Sequence, residues 1–137
     1  QRPLAALMID LDYFKQYNDA CGHQEGDRCL QRIAEALTEQ AQRAGDLVAR
    51  YGGEEFCVVV QSNAERASTL AEQIRQAVVA LAIPHPSSAV AGHVTVSVGV
   101  AALVPTRDTE PDELIKGADK ALYQSKREGR NRVSVQC

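Results

Sequence analysis

The sequence predicts an α+β domain: a central mixed, mainly antiparallel sheet with flanking helices and one projecting β-hairpin. Three observations carry that expectation. Short apolar or β-branched runs alternate with longer amphipathic stretches in the order β-α-β-β-α-β-α-β. A glycine pair, Gly52-Gly53, separates two of the runs by the spacing of a tight hairpin. The longer stretches repeat apolar residues at the period of a helix with one buried face.

The first run, Leu4-Ala5-Ala6-Leu7-Met8-Ile9, is continuously apolar, as in a strand covered on both faces. A polar, glycine-punctuated segment follows over 16–26 and reads as a connection. Residues 27–43 read as a helix with Leu30, Ile33, Ala34, Leu37 and Ala41 on one face. Asp27 suits its N-cap, and Gly45 suits a left-handed cap at its end. The hairpin spans 47–61, where the two glycines are expected to supply positive φ angles at no steric cost. A second helix over 64–82 buries Leu70, Ile74, Ala77, Val78 and Leu81. Residues 84–88 read as a loop, and 93–103 alternate Val94, Val96, Val98 and Val100 with small or polar residues as a strand does. The third helix starts near Pro111, carries Asp112 and Glu113 in its first turn, and ends around 126–130. A short strand over 132–135 closes the chain. His85 and His93 read as surface and loop-edge residues.

Without the last helix and strand the order is βαββαβ, the split-βαβ arrangement of ferredoxin-like domains. There the first strand and the hairpin are spatial neighbours, so the end of one can face the tip of the other.

A chain of 137 residues is expected to be one domain, burying roughly two-thirds of its unfolded surface. No run approaches the ~20 apolar residues of a membrane helix, and no signal-peptide pattern opens the chain. The net charge is −3, without the basic stripe that nucleic-acid binding requires. Cys21, Cys29, Cys57 and Cys137 form no CxxC pair, and Cys21, His23 and Cys29 lack a fourth zinc ligand. Four free thiols in a reducing cytosol are expected.

Chemistry concentrates in two acidic stretches. Asp10 and Asp12 follow the first strand two residues apart, so they share a face, with Lys15 close behind. Glu54 and Glu55 sit at the hairpin tip, where adjacent carboxylates repel unless a cation neutralises them. Turn hydrogen bonds and a solvated tip would explain each stretch singly. Convergence of both on one edge favours a divalent-cation site.

Gly52-Gly53-Glu54-Glu55-Phe56 resembles the signature of the GGDEF domains, the bacterial diguanylate cyclases, in the variant with glutamate at the third position. Asp10-Leu11-Asp12-Tyr13-Phe14-Lys15, Asn18, Gly22-His23, Gly26-Asp27, the block from Ala118 to Tyr123, and Lys126 with Gly129-Arg130-Asn131 match the family in order and spacing. The resemblance implies a nucleotidyl-cyclase-like fold and condensation of two GTP into cyclic di-GMP with release of two pyrophosphates. It implies two Mg²⁺ (or Mn²⁺) ions per active site, held by Asp10, the Leu11 carbonyl and Glu54, with Asp10 and Glu54 the catalytic carboxylates. Two such ions can activate a 3′-hydroxyl and hold an α-phosphate in line.

Asn18 and Asp27 match the family's guanine readers. Lys15, Lys126 and Arg130 match its triphosphate contacts, with the Tyr13 and Phe14 amides nearby. Gly52 and Gly53 let the backbone approach the nucleotide. Arg43-Ala44-Gly45-Asp46 resembles the family's RxxD product-inhibition site, with Arg75 a nearby candidate for its second arginine. Asp12 and Glu55 are assigned no more than supporting roles.

The resemblance further implies a transient homodimer about a two-fold axis, each copy presenting one GTP, and an upstream sensor domain in the full-length protein. The family's lead-in segment, with its LTGL-like block, is not among these residues. The expectation is a single cytoplasmic domain over 1–137, with any membrane anchor and the dimerising element upstream. Two other readings use much the same residues: a non-catalytic module that binds GTP or cyclic di-GMP as a receptor, and a metal-dependent cyclase or polymerase palm for another substrate. Intact Asp10, Glu54 and Lys15 disfavour the first, and the guanine readers disfavour the second.

Overall fold

In a computed structural model of the chain, residues 2–42, 46–110 and 112–136 are described. Their elements run β1 (Leu4–Leu11), α1 (Phe14–Cys21), α2 (His23–Gln40), β2 (Leu47–Gly52), β3 (Glu55–Val60), α3 (Ala64–Ala80), β4 (Val96–Leu103), α4 (Glu113–Arg127) and β5 (Val133–Val135). The sheet order is β2-β3-β1-β4-β5. The β1–β3, β1–β4 and β2–β3 pairs are antiparallel, and β4–β5 is parallel. β3 thus lies between β1 and β2, and β1 between β3 and β4, as the split-βαβ reading requires.

The alternation of β1 builds two cores. Ala5, Leu7, Ile9 and Leu11 pack with Ile33 and Leu37 of α2 and Ile74 and Val78 of α3. Ala6 and Met8 face Leu114, Ala118 and Leu122 of α4. Each fully buried Leu, Ile or Val side chain contributes about 1.5–3 kcal/mol. Being sandwiched on both faces is why β1 carries no polar residue before Asp10.

The structure corrects several expectations. The 16–26 connection is largely helix, because Phe14, Tyr17 and Cys21 recur at helical spacing and pack on the core. Gly22, at φ 92°, separates α1 from α2. Asp27 therefore lies inside α2 rather than at its N-cap, which is Gly22. The expected Gly45 cap lies outside the described residues, as do Arg43, Pro111 and Cys137. Gly52 and Gly53 do not adopt positive φ. The turn is made by a register shift between Arg50 and Gly52 in the β2–β3 pairing, braced by Arg50 Nε donating to Gly53 O at 2.9 Å. β4 begins at Val96, and His93 instead makes an isolated bridge to Pro84. His85 is not a surface residue: it is 2 % exposed, its Nε2 donates to Tyr13 O at 2.9 Å, and its ring meets Tyr17 edge-on.

Asn63 caps the start of α3, its side chain accepting from Arg66 N at 2.9 Å. Such a cap is worth ~1 kcal/mol.

Candidate active site

The carboxyl end of β1, the hairpin between β2 and β3, and the last turn of α4 meet at one edge of the sheet. β1 and β3 place Asp10 opposite Glu55, and Leu11 N donates to Glu54 O at 3.4 Å. α4 delivers Lys126, whose Nζ pairs with Asp10 Oδ2. Asp10, Glu54, Glu55 and Lys126 are thereby gathered from three separate stretches of chain.

The electrostatics of this cluster are frustrated. Burial first, and the neighbouring Asp12 charge, hold the Asp10 carboxyl above its usual range, although Lys126 pulls the other way. Partial burial and the Asp10 charge likewise raise Glu54 and Glu55. Lys126 and Arg130 together do not offset this concentration of negative charge at Asp10. Asp10 Oδ1 is also buried with no hydrogen-bond partner, which is costly unless something else satisfies it. These features fit a divalent cation held by Asp10 and Glu54. Among the described residues no three His, Cys, Asp or Glu side chains converge to hold a metal. Mg²⁺ suits that arrangement, since it commonly takes one or two carboxylates and completes its shell with water and substrate phosphates.

The predicted base readers sit on the two helices after β1. Asn18 lies on α1, and its buried Oδ1 has no partner. Asn18 occupies the space a side chain at Gly26 would need. Asp27, exposed on α2, lines a cleft of about 440 Å³ together with Leu30, Val48, Arg50 and Phe56. Lys15 is exposed on the first turn of α1. Arg130 lies 4.6 Å from the Tyr13 ring centre. Around Gly52 and Gly53 nothing lies within 4 Å of where a Cβ would be, leaving the tip open to a large ligand.

Comparison with known proteins decides the family. The sequence pattern described as "Diguanylate cyclase, GGDEF domain" matches residues 1–132. The chain belongs to the GGDEF domain family. It is 41% identical over 134 residues to diguanylate cyclase A of Treponema denticola, covering 96% of this chain and 35% of that protein. It is 42% identical over 132 residues to the response regulator PleD of Caulobacter vibrioides, covering 96% of this chain and 29% of PleD. The chain thus spans about a third of the length of these curated relatives.

Among solved structures, the GGDEF domain of DgcB from Caulobacter crescentus, in complex with c-di-GMP, superposes with a TM-score of 0.86 at 34% identity over 98% of this chain and 78% of that one. The active GGEEF domain of a diguanylate cyclase from Vibrio cholerae gives 0.83 at 35% identity, covering 99% and 84%.

Some contacts of this GGDEF domain are not visible in its sequence. Arg50 lines the cleft beside Asp27 and braces the hairpin turn; its place next to Gly52-Gly53 was the available signal. Asp119 adds negative charge near Glu55. Asp12, 2 % exposed, is engaged by Thr95, Ser97 and Asn131. Arg75 is engaged by Glu72 and Asn131. The described cysteines Cys21, Cys29 and Cys57 are free, and burial pushes the Cys29 thiol up to about 11. A thiol so raised stays protonated and unreactive at neutral pH. No described helix is long and apolar enough to cross a membrane.

Proposed function

We propose that this domain condenses two molecules of GTP into cyclic di-GMP. The observation that carries the reading is the convergence of Asp10, Glu54 and Lys126 beside an unobstructed hairpin, with Asn18 and Asp27 on the adjoining helices. Asn18 and Asp27 read guanine, the Asp carboxylate accepting from N1–H and N2–H₂. Adenine lacks those donors and would leave these polar groups unpaired in the complex, which rejects it. Lys15, Lys126 and Arg130, with the Tyr13 and Phe14 amides, hold the triphosphate.

Asp10, the Leu11 carbonyl and Glu54 would hold Mg²⁺ or Mn²⁺, which when bound polarises the α-phosphate and acidifies the attacking hydroxyl. Each 3′-oxygen forms a bond to the other nucleotide's α-phosphorus and each α–β bridging bond breaks. Two pyrophosphates leave, and the hydroxyl protons pass to solvent.

One chain carries one set of base readers and one set of phosphate contacts, so two copies must meet about a two-fold axis. Holding both nucleotides in attack geometry makes the reaction effectively intramolecular. Incubation with GTP and Mg²⁺ followed by chromatography of the nucleotides is expected to show cyclic di-GMP and pyrophosphate. An unreacted GTP pool at high protein concentration would leave a nucleotide-binding module instead. Specific activity per chain should rise with protein concentration, and fusion to a dimeric coiled coil should raise it further. A flat dilution series from a chain that sediments as a monomer would contradict the shared site.

Product feedback is assigned to Arg43 and Asp46. Arg43 lies outside the described residues; Asp46 borders a cleft of about 450 Å³ that Arg66, Gln61 and Gln73 also line. A planar guanidinium and a carboxylate suit the phosphate and guanine edges of the product. Arg43→Ala should weaken cyclic di-GMP binding about tenfold or more, the loss expected of a charged hydrogen bond, while uninhibited turnover holds. Calorimetry showing unchanged product affinity would remove the assignment.

A further inference from the structure

The turn after α4 is held in an unfavourable conformation by a relay of polar contacts that runs from the half-buried Glu72–Arg75 pair to the buried Asp12. Gly129, Arg130 and Asn131 have φ of 127°, 65° and 48° in succession. A left-handed residue bearing a Cβ costs about 1–2 kcal/mol, so such a run persists only where its surroundings impose it. At its front, Arg130 N donates to Ser125 O at 2.9 Å. At its rear, Asn131 N donates to Asp12 Oδ2 at 3.0 Å.

Asp12 is itself immobilised. Its Oδ2 also accepts from Thr95 Oγ1 at 2.7 Å and its Oδ1 from Ser97 Oγ at 2.6 Å, while its N–H donates to Thr95 O at 2.9 Å. Asn131 Oδ1 accepts from Arg75 Nη1 at 3.0 Å. Arg75 is clamped in turn by Glu72 through Nε at 2.9 Å and Nη2 at 2.6 Å. The relay Glu72–Arg75–Asn131–Asp12 therefore ties α3 and the end of β1 to the turn that carries Arg130. Its outcome is the Arg130 guanidinium over the Tyr13 ring at 4.6 Å. Tyr13 is the left-handed residue that opens α1.

We infer that Asn131 and Arg75 are positioning residues, which lock the Gly129–Asn131 turn so that Arg130 meets the phosphates of GTP. The inference rests on the reading of Arg130 as a triphosphate contact. Neither positioning residue needs to touch the nucleotide. Asn131 suits the post because asparagine tolerates the left-handed region and still offers an acceptor to Arg75. Arg75 suits it because only a guanidinium can grip Glu72 with two nitrogens and reach Asn131 with the third.

The test uses the full chain, calorimetry, and two probes: guanosine, and a GTP analogue with an α,β-methylene bridge that cannot be turned over. Asn131→Gly keeps the left-handed backbone and the bond to Asp12 but removes Oδ1. Arg75→Met keeps the aliphatic stem and removes the donors. Each should weaken the triphosphate analogue about 10-fold, the scale of a modest misplacement of a binding group, and leave guanosine affinity unchanged. In an Arg130→Ala background neither should cause further loss, since coupled residues are non-additive. Asn131→Asp, which retains the acceptor, should restore most of the affinity. Equal losses for guanosine, or losses that simply add to that of Arg130→Ala, would overturn the inference. An analogue that the unmodified chain does not bind at all would instead sink the GTP reading, and this inference with it.

Discussion

Glu54→Gln is expected to abolish cyclic di-GMP formation while the protein stays folded. The substitution keeps the shape of a side chain at the open tip but removes a charge from the pair that would hold the cations. Loss of one preorganised electrostatic group costs about 10²–10³ in turnover, and loss of a shared cation ligand should cost at least that.

Stability should move the other way. The folded-state pKa of Glu54 is raised, first by burial and then by Asp10. A raised carboxylate contributes stability that is fully present below its unfolded pKa and is lost as pH rises through its folded one. Wherever Glu54 is ionised it is therefore a liability to the metal-free fold, and the neutral amide relieves it. The melting temperature without added metal should hold or rise in the variant. The advantage should fade as the pH is lowered into the range where Glu54 is protonated anyway. Chromatographic assay of GTP turnover and melting curves over a pH series measure both halves. Near-normal turnover would remove Glu54 from the metal site.

Gly99→Ala is expected to cost more stability than the same change at any other described glycine. Gly99 lies in the middle of β4, paired with Met8 and Ser134, and α4 crosses directly above it. A Cβ there would stand closer than 3.0 Å to Leu122 N, Ala118 O and Leu122 Cα. These are backbone atoms of a helix, so no rotamer change can clear them. The helix must lift from the sheet, at an expected cost of about 3 kcal/mol or more, a large part of a 5–15 kcal/mol total. A fall in melting temperature of roughly 10 °C should accompany it. Lifting α4 also displaces Lys126 and the turn bearing Arg130, so the folded remainder should bind GTP poorly. Gly92→Ala is the control, since nothing lies within 4 Å of a Cβ at that position. A melting temperature for Gly99→Ala within a few degrees of the control would show that α4 sits less tightly on β4.

Features resting on near neighbours in sequence are legible in the sequence itself. Continuous apolar residues in β1 announced a strand covered on both faces, and Leu30, Ile33 and Leu37 announced the buried face of α2. The spacing of Gly52-Gly53 gave the hairpin, and the matching blocks around Asp10, Glu54 and Lys126 gave the family. Even locally, competing signals hide an element. Phe14, Tyr17 and Cys21 make one short apolar face, but Gly22, Gly26 and the polar residues around them read as a connection and conceal α1.

Tertiary structure alone decided what partners the polar residues take. Asp10 and Asp12 are equivalent by strand alternation, yet Asp10 is left with an unsatisfied oxygen beside Glu54 and Lys126, while Asp12 is consumed by Thr95, Ser97 and Asn131. His85, read as a loop residue between two prolines, is buried because Tyr13 and Tyr17 come to it from near the start of the chain. Arg75 reaches Asn131 across 56 positions, and Asn131 reaches Asp12 across 119. Periodicity and propensity report only on the few residues either side of a position. A buried hydrogen bond forms between whichever donors and acceptors the packed sheet and helices happen to deliver, which is a property of the whole fold.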